Sequence, residues 1–425
     1  MDMAVSRTSS ADRSTLVGVL LGRKQIHRIL ETQEAFSRVK ELVEANKVAH
    51  TELHFFAGKD VDFKERRIRA IHFNYADNKW ERGILAFPDV VYVRGGSGKP
   101  VKQVIARLEQ AGVKKINPII AFNKGKLYQK LNLDKSVRSY LPATQSVENM
   151  DEIMSMLQKL GKVYVKACRG RKGTKVMRIE KLSGNRFLYS YSLLGALVRK
   201  TTYDRSSLQR AIRTFFKGKK VIVQKAIDLV RVDTNRLCDF RAEVQRNENG
   251  EIEIAGVAVR VGQKNSPITT HAGAYRYDTY LKKLFPQYSN QRIYGLLTRI
   301  RAFLMAIYRS VENTYGQFGE IGIDFAVDRN GKVWLIECNA QSAKVSFGKA
   351  YGEGARKGYL NPLQYAKTIS RNNHRTHATQ GGSSAQPDVA NRRGASRGAS
   401  FQGIGSRSYF DSRSGAVVGG RRTSQ

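Results

Sequence analysis

Cysteine is scarce. Cys168, Cys238 and Cys338 are the only three in 425 residues, an odd number that never falls in CxxC spacing. A disulfide framework and a zinc ribbon are excluded, and a reducing, cytoplasmic compartment is the expectation. Proline is also rare, at 8 residues, and 41% of the chain is hydrophobic, so it is neither collagen-like nor wholly disordered. No apolar run reaches the roughly 18 residues of a spanning helix, and the opening MDMAVSRTSSADRS lacks the apolar centre of a secretion signal. Acidic residues are few: 36 against 74 Lys and Arg, a formal charge of +38. Such a charge calls for a polyanionic partner, whether nucleic acid, an acidic surface or an acidic polymer. Yet the basic blocks at 64–69, 169–175 and 217–220 are short, and no zinc-finger, RNP or basic-zipper pattern accompanies them. Nucleic acid is therefore the weaker expectation.

What is present is an alternation of strand and helix signals over 14–120, which predicts an α/β domain. Leu16–Leu21 (LVGVLL), 53–57 and Val90–Val93 read as strands. The 31–46 segment, apolar at Ala35, Val39, Leu42 and Val43, reads as one amphipathic helix, and 101–111 as another. Strands dominate from 162 onward, followed by a long helix over 291–313, two more strands and a terminal helix near 362–370. The expected division is 14–120, 121–222, 223–370 and a tail over 371–425. That tail holds nine Gly, nine Ser and nine Arg, with no Lys and two Asp. Its composition predicts disorder, because it has too little apolar surface to bury.

Two Asn-Gly pairs give the sharpest local inference, since Asn-Gly favours a two-residue type I′ hairpin turn. With Asn330 and Gly331 as the loop, paired residue numbers sum to 661 and Asp324 faces Glu337. Asn339 joins them on that face, while Ile323, Phe325 and Val327 meet Cys338, Ile336 and Trp334 on the other. Two carboxylates about 5 Å apart repel by roughly 3 kcal/mol at an effective dielectric near 20. A divalent cation reverses that sign, and Mg²⁺ is commonly held by one or two carboxylates plus substrate phosphates. With Asn249-Gly250 as a second loop, Asp239 faces Arg260, with Arg241 and Glu243 alongside. Two guanidiniums there suit phosphate or carboxylate.

Lys166 ends the strand VYVK and precedes CRGRKGTKV, where Gly170 and Gly173 permit backbone amides to approach phosphate. GGSGKP at 95–100 imitates a P-loop but carries Val93 at the first glycine position and Pro100 in place of Ser/Thr. His50 and His54 share helical spacing without the zincin glutamate between them, and are read as incidental.

In order, these elements resemble an ATP-grasp enzyme, and within that superfamily the YheC/YheD endospore coat-associated proteins. The resemblance covers about 85–365 and rests on FNKGKLYQKL…YLPAT, VYVKACRGRKG, VIVQKAIDL, DFRAEVQ…GVAVRV, THAGA and IGIDFAVDRNGKVWLIECNAQS. It implies an ATP-grasp fold behind an N-terminal α/β domain, with ATP and Mg²⁺ as cofactors. By the resemblance, Asp324, Glu337 and Asn339 bind Mg²⁺. Lys166 and Lys126, with Lys124 the alternative, contact the nucleotide beside Gly170 and Gly173. Gln224, Lys225, Ala226 and Ile227 line adenine, and Arg241 and Arg260 act on the transferred phosphoryl group or the substrate carboxylate. The implied activity is a carboxylate–amine ligase acting through an acyl phosphate on a peptide or coat component. The alternative is a nucleotide-binding coat scaffold without turnover. Ala167, Arg171, Thr269 and Ala274 depart from the usual pattern, and they bear on acceptor choice and turnover.

Overall fold

The computed structural model describes residues 14–380 apart from 171–174, 194–195, 234–235, 265 and 267–272, and gives the backbone alone over 372–380. The expectations for Gly173, for 269–272 of the THAGA region and for the tail beyond 380 lie outside the described residues.

The first sheet holds β1 (Leu16–Leu21), β2 (Glu52–Ala57), β3 (Val61–Asp62), β4 (Arg67–Asn74), β5 (Lys79–Ala86), β6 (Val90–Val93) and β7 (Lys114–Lys115). Its centre is parallel: β1 pairs with β2 on one side and β6 on the other. The uninterrupted apolar run of β1 follows from this, since a central parallel strand is covered on both faces. Val17, Val19 and Leu21 meet α1 (Arg23–Thr32) and α2 (Ser37–Ala49), whereas Leu20 meets α3 (Lys99–Gln110). The single helix expected over 31–46 is thus two. Gln33 adopts a left-handed conformation (φ 55°) that ends α1, and α2 restarts after Phe36. The β4–β5 hairpin was not legible, because the basic run at 64–69 masks the start of an alternating strand.

After α4 (Lys124–Leu133), a second sheet is ordered β12-β11-β10-β9-β13-β8. It comprises β8 (Thr144–Val147), β9 (Lys162–Ala167), β10 (Val176–Lys181), β11 (Phe187–Leu193), β12 (Ala196–Thr202) and β13 (Val221–Lys225). Helices α5 (Met150–Leu160) and α6 (Arg205–Phe216) cover one face through Ile153, Leu157, Leu208 and Ile212.

The third sheet contains β14 (Arg231–Asp233), β15 (Arg236–Arg246), β16 (Ile252–Val261), β17 (Gly273–Arg276), β18 (Glu320–Val327) and β19 (Val333–Asn339). It runs β17-β16-β15-β18-β19, with β14 paired to β15. Between β17 and β18 come α7 (Tyr277–Leu284) and the long α8 (Asn290–Tyr315), and the chain closes with α9 (Val345–Tyr351) and α10 (Lys357–Gln380). One face of this sheet packs Phe240, Val259, Ile323 and Phe325 against Ile300, Leu304 and Ile307 of α8. The opposite face carries the charges. Residues through Ala378 form one compact unit.

Both Asn-Gly hairpins differ from expectation in the same way. In each, a three-residue loop replaces the two-residue one. Asp328 N–H donates to Lys332 O at 3.0 Å, Gly331 N–H donates to Asp328 O at 3.0 Å, and Gly331 but not Asn330 has positive φ (78°). The pair Asn247 and Glu251 closes the other loop at 3.0 Å, with Gly250 at φ 77°. This is the type I turn followed by a left-handed glycine. The ladder therefore leaves each turn one residue out of the expected register, and a bulge then restores it. Val327 pairs with Val333 and Phe325 with Leu335, but Asp324 pairs with Glu337, leaving Ile336 as the extra residue. Val244 pairs with Ile254 and Glu243 with Gly256, leaving Ala255 extra. The apolar partners are accordingly Val333, Leu335 and Ile254, not the expected Trp334, Ile336 and Ala255. A tyrosine serves the backbone at the first bulge, and another does so two residues beyond the second. Tyr128 OH donates to the carbonyls of Leu335 and Ile336, both at 2.9 Å, and Tyr351 OH bonds both N–H and C=O of Val257 at 3.0 Å.

Candidate active site

Asp324 and Glu337 stand opposite each other on β18 and β19, and each is met by cations. Arg241, across the ladder from Asp324 on β15, grips it with two nitrogens; the Nη2–Oδ2 bond is 2.8 Å and Nε donates to Oδ1. Arg260 on β16 lies 3.3 Å from the same carboxylate and donates to Asp239 at 2.7 and 2.5 Å. Such bidentate pairs fix the guanidinium planes. Burial alone would raise the Asp324 pKa, but Arg241 and Arg260 outweigh it and hold the carboxyl below its usual range. Asn339 faces Gly322 and donates to its carbonyl at 3.4 Å.

Glu337 accepts from Lys124 Nζ at 2.7 Å. Lys124 opens α4, a helix capped by the Asn123 side chain accepting from Lys126 N–H at 3.1 Å. Lys126 itself is exposed. Of the two candidate lysines, the fold brings Lys124 to the carboxylates. Lys166 arrives from the second sheet: it is buried on β9 and donates to Gln224 Oε1 on β13 at 2.6 Å. Gln224 in turn donates to Thr144 at 2.9 Å. Burial pulls the Lys166 pKa down to about 8 from 10.5; attraction to Glu337 works against this and repulsion from Lys124 adds to it. Lys166, Lys124, Arg241 and Arg260 thus converge on one electrostatic site. Lys225 is exposed, and Ala226 and Ile227 are half-buried where β13 ends. Ala226 N–H donates to Lys162 O at 3.1 Å. Gly170 is exposed with open space where a Cβ would stand.

Beneath this site runs a buried network that motif reading missed. Ser342 is fully buried; its hydroxyl accepts from Arg241 Nη1 at 3.2 Å and donates to Glu243 Oε1 at 2.5 Å. Arg94, at the end of β6 in the first sheet, donates to the Ser342 carbonyl and to Glu320 Oε1, the latter at 2.8 Å. Lys344 Nζ, with no exposed side-chain surface, donates to the other Glu320 oxygen. The serine therefore links the first sheet to Arg241. A weak signal existed in the NAQS that follows Glu337-Cys338, but Arg94 lies 248 positions from Ser342.

The donors available for a metal are oxygen only, two carboxylates and an amide. Among the described residues no group of three or more His, Cys, Asp or Glu forms a closed cage. That donor set fits a hard cation shared with phosphate oxygens.

Residues 112–369 match the YheC/D-like ATP-grasp family model. The chain belongs to that family. It is 26% identical over 301 residues to the endospore coat-associated protein YheD of Bacillus subtilis, a match covering 69% of this chain and 64% of YheD. YheC of the same organism, also described as endospore coat-associated, is 22% identical over 317 residues, covering 73% and 85%. The VanG D-Ala:D-Ser ligase of Enterococcus faecalis superposes with a TM-score of 0.50 at 12% identity, covering 84% of this chain and 100% of the ligase. The fold is that of the ATP-grasp ligases, mixed α/β with an additional N-terminal sheet. Among the described residues no helix is long and apolar enough to cross a membrane.

Proposed function

We propose that this YheC/D-like protein is an ADP-forming carboxylate–amine ligase that acts through an acyl phosphate on a peptide or spore-coat component. One observation carries the reading: Asp324 faces Glu337 across a ladder while Lys124, Lys166, Arg241 and Arg260 converge on the same spot. Phosphoryl transfer asks chiefly for positioning and charge neutralisation, and these are the groups supplied. Asp324, Glu337 and Asn339 would hold Mg²⁺, which when bound neutralises phosphate charge. Lys166 and Lys124 bind the phosphates, Gly170 leaves room for backbone approach, and Gln224 to Ile227 border the base.

In the first step a substrate carboxylate oxygen bonds to the γ-phosphorus while the bond from that phosphorus to the bridging oxygen breaks, releasing ADP. An amine nitrogen then attacks the acyl carbon, phosphate departs with the electrons of the C–O bond, and the amine proton passes to solvent. Arg241 and Arg260 are placed to stabilise the charge in flight.

Mass spectrometry of peptide mixtures incubated with ATP and Mg²⁺ tests the proposal: a condensation product lost in Glu337→Gln is expected. ADP taken up without any product across the acceptors would instead favour the nucleotide-binding coat scaffold, to which the description of YheC and YheD lends support. No nucleotide uptake at all defeats both readings.

A further inference from the structure

The site just described balances its own charge closely, but the rim beside it does not. Four chain segments lie side by side there. Lys124 N–H donates to Cys168 O at 3.0 Å, Cys168 N–H donates to Lys220 O at 2.9 Å, and Ala167 N–H donates to Lys175 O at 3.0 Å. These backbone bonds tie the start of α4, the end of β9, the residue before β10 and the start of β13 into one ledge. It carries Arg169, Lys175, Lys217, Lys219 and Lys220, all exposed except the half-buried Lys175. Among the described residues none of the five has an acidic partner within ion-pair distance. They repel one another: burial, then Lys219 and Lys217, lower the Lys175 pKa. Lys217 and Lys219 gain a little from lying at the C-terminal end of α6. Lys175 serves the same helix end, donating to the Phe215 carbonyl and lying 4.6 Å from the centre of the Phe215 ring. That accounts for three of the five, and not for Arg169 or Lys220.

The ledge is continuous with the candidate site, since Lys124, whose N–H bonds Cys168, also donates through Nζ to Glu337. A triphosphate at Lys124 and Lys166 would come with Mg²⁺ held by Asp324 and Glu337, and so would leave the ledge unengaged. Five further cations without a carboxylate partner among the described residues suit a ligand that is long, anionic and anchored at the site.

We infer that this ledge is the binding track of an acidic polypeptide, whose side-chain or terminal carboxylate is the group the ligase activates. The inference rests on the ligase reading and names its substrate class. A carboxylate polymer is favoured over a phosphate polymer because the chemistry proposed at the site consumes a carboxylate.

Fluorescent oligo-L-glutamate titrated into the full chain loaded with MgADP tests it. We expect binding that weakens steeply with salt. Lys217→Asn/Lys219→Gln/Lys220→Gln should weaken it by about tenfold or more and flatten the salt slope by up to about three. MgADP affinity should not change. A control of equal charge on the first sheet, Lys59→Gln/Lys64→Gln/Arg69→Gln, should lower oligoglutamate affinity less than about twofold. Equal losses from both triple variants, or single-stranded oligonucleotide binding the ledge in preference to oligoglutamate, would overturn the inference. Calorimetry with MgADP alone separates the two ideas. Nucleotide uptake with a ledge-independent oligoglutamate affinity sinks only the track, whereas absent nucleotide uptake sinks the ligase.

Discussion

Glu320 and Asp324 lie four residues apart on β18 and, by the alternation of a strand, on one face. Each is held by two cations. Glu320 is sealed between Arg94 and Lys344 with no exposed surface, while Asp324, between Arg241 and Arg260, lies at the border of a site open to solvent through the 28%-exposed Glu337. The first arrangement is permanent, because no ligand can reach it. The second is less sealed, because the neighbouring Glu337 is partly exposed and is held by Lys124 alone. A single strand thus contributes to both the rigid base and the candidate site, with Ser342 joining them.

Breaking the sealed pair should cost the most. Glu320→Gln strands two buried cations, and removing one partner of a buried pair typically costs about 3–5 kcal/mol. Urea unfolding is expected to show that loss, or no folded protein at all. Glu337→Gln, in contrast, should change stability by less than about 1 kcal/mol, since its pair with Lys124 is partly solvated. Comparable losses from both would end the distinction between the two regions.

The next effects fall on the open site. Asp324→Asn should weaken MgADP binding at least about tenfold by calorimetry, since Arg241 and Arg260 lose a buried charged partner. Lys124→Gln should approach the same loss, while Lys126→Gln should stay within about twofold. The reverse order would restore the lysine preferred from sequence.

That preference shows where sequence reading ran out. The spacing from Asp324 to Glu337 and Asn339 placed two carboxylates face to face, and they are so placed, yet by a route the reading did not contain. The loop is one residue longer than a type I′ turn and the bulge at Ile336 takes that residue back, so the two departures cancel from Asp324 to Gly322 while the pairs between turn and bulge stay out of the expected register. Bulges are governed by tertiary partners, here Tyr128 of a distant helix, which local propensity does not encode. The sealed network was less legible still. Arg94, Glu320 and Ser342 are single polar letters in apolar or glycine-rich surroundings, separated by 226 and 248 positions in their pairings. The central strands of the first sheet were readable because a short apolar run is a local signal.

A pH titration sharpens the contrast between an open site and a sealed one. With its pKa at about 8, Lys166 loses its charge within reach of ordinary buffers. MgADP affinity should therefore fall as pH rises through about 8, by no more than about tenfold per pH unit, and Lys166→Gln should flatten that limb. The stability effect has the opposite sign. The folded pKa lies below the ordinary 10.5, so the charged lysine opposes folding most below about pH 8, and the penalty fades as pH climbs toward 10.5. A nucleotide affinity flat from pH 7 to 9 would show that Lys166 does not contact the phosphates.

The smallest expected effect tests the turn that delivers Asp324 to its place. In a two-residue type I′ loop both Asn330 and Gly331 need positive φ, and replacing either by alanine is costly. In the three-residue loop only Gly331 is left-handed, and a Cβ there would also stand 2.9 Å from the Tyr288 hydroxyl. Asn330 contributes its backbone N–H to Asp328 Oδ1 at 2.9 Å, a bond alanine keeps. Gly331→Ala is therefore expected to destabilise by about 1 kcal/mol or more and Asn330→Ala by less than about 0.5 kcal/mol in urea unfolding. Equal costs at the two positions would favour the tighter turn. The ladder would then have to reach Asp324 and Glu337 without the Ile336 bulge, and Tyr128 would lose the reason for its contact.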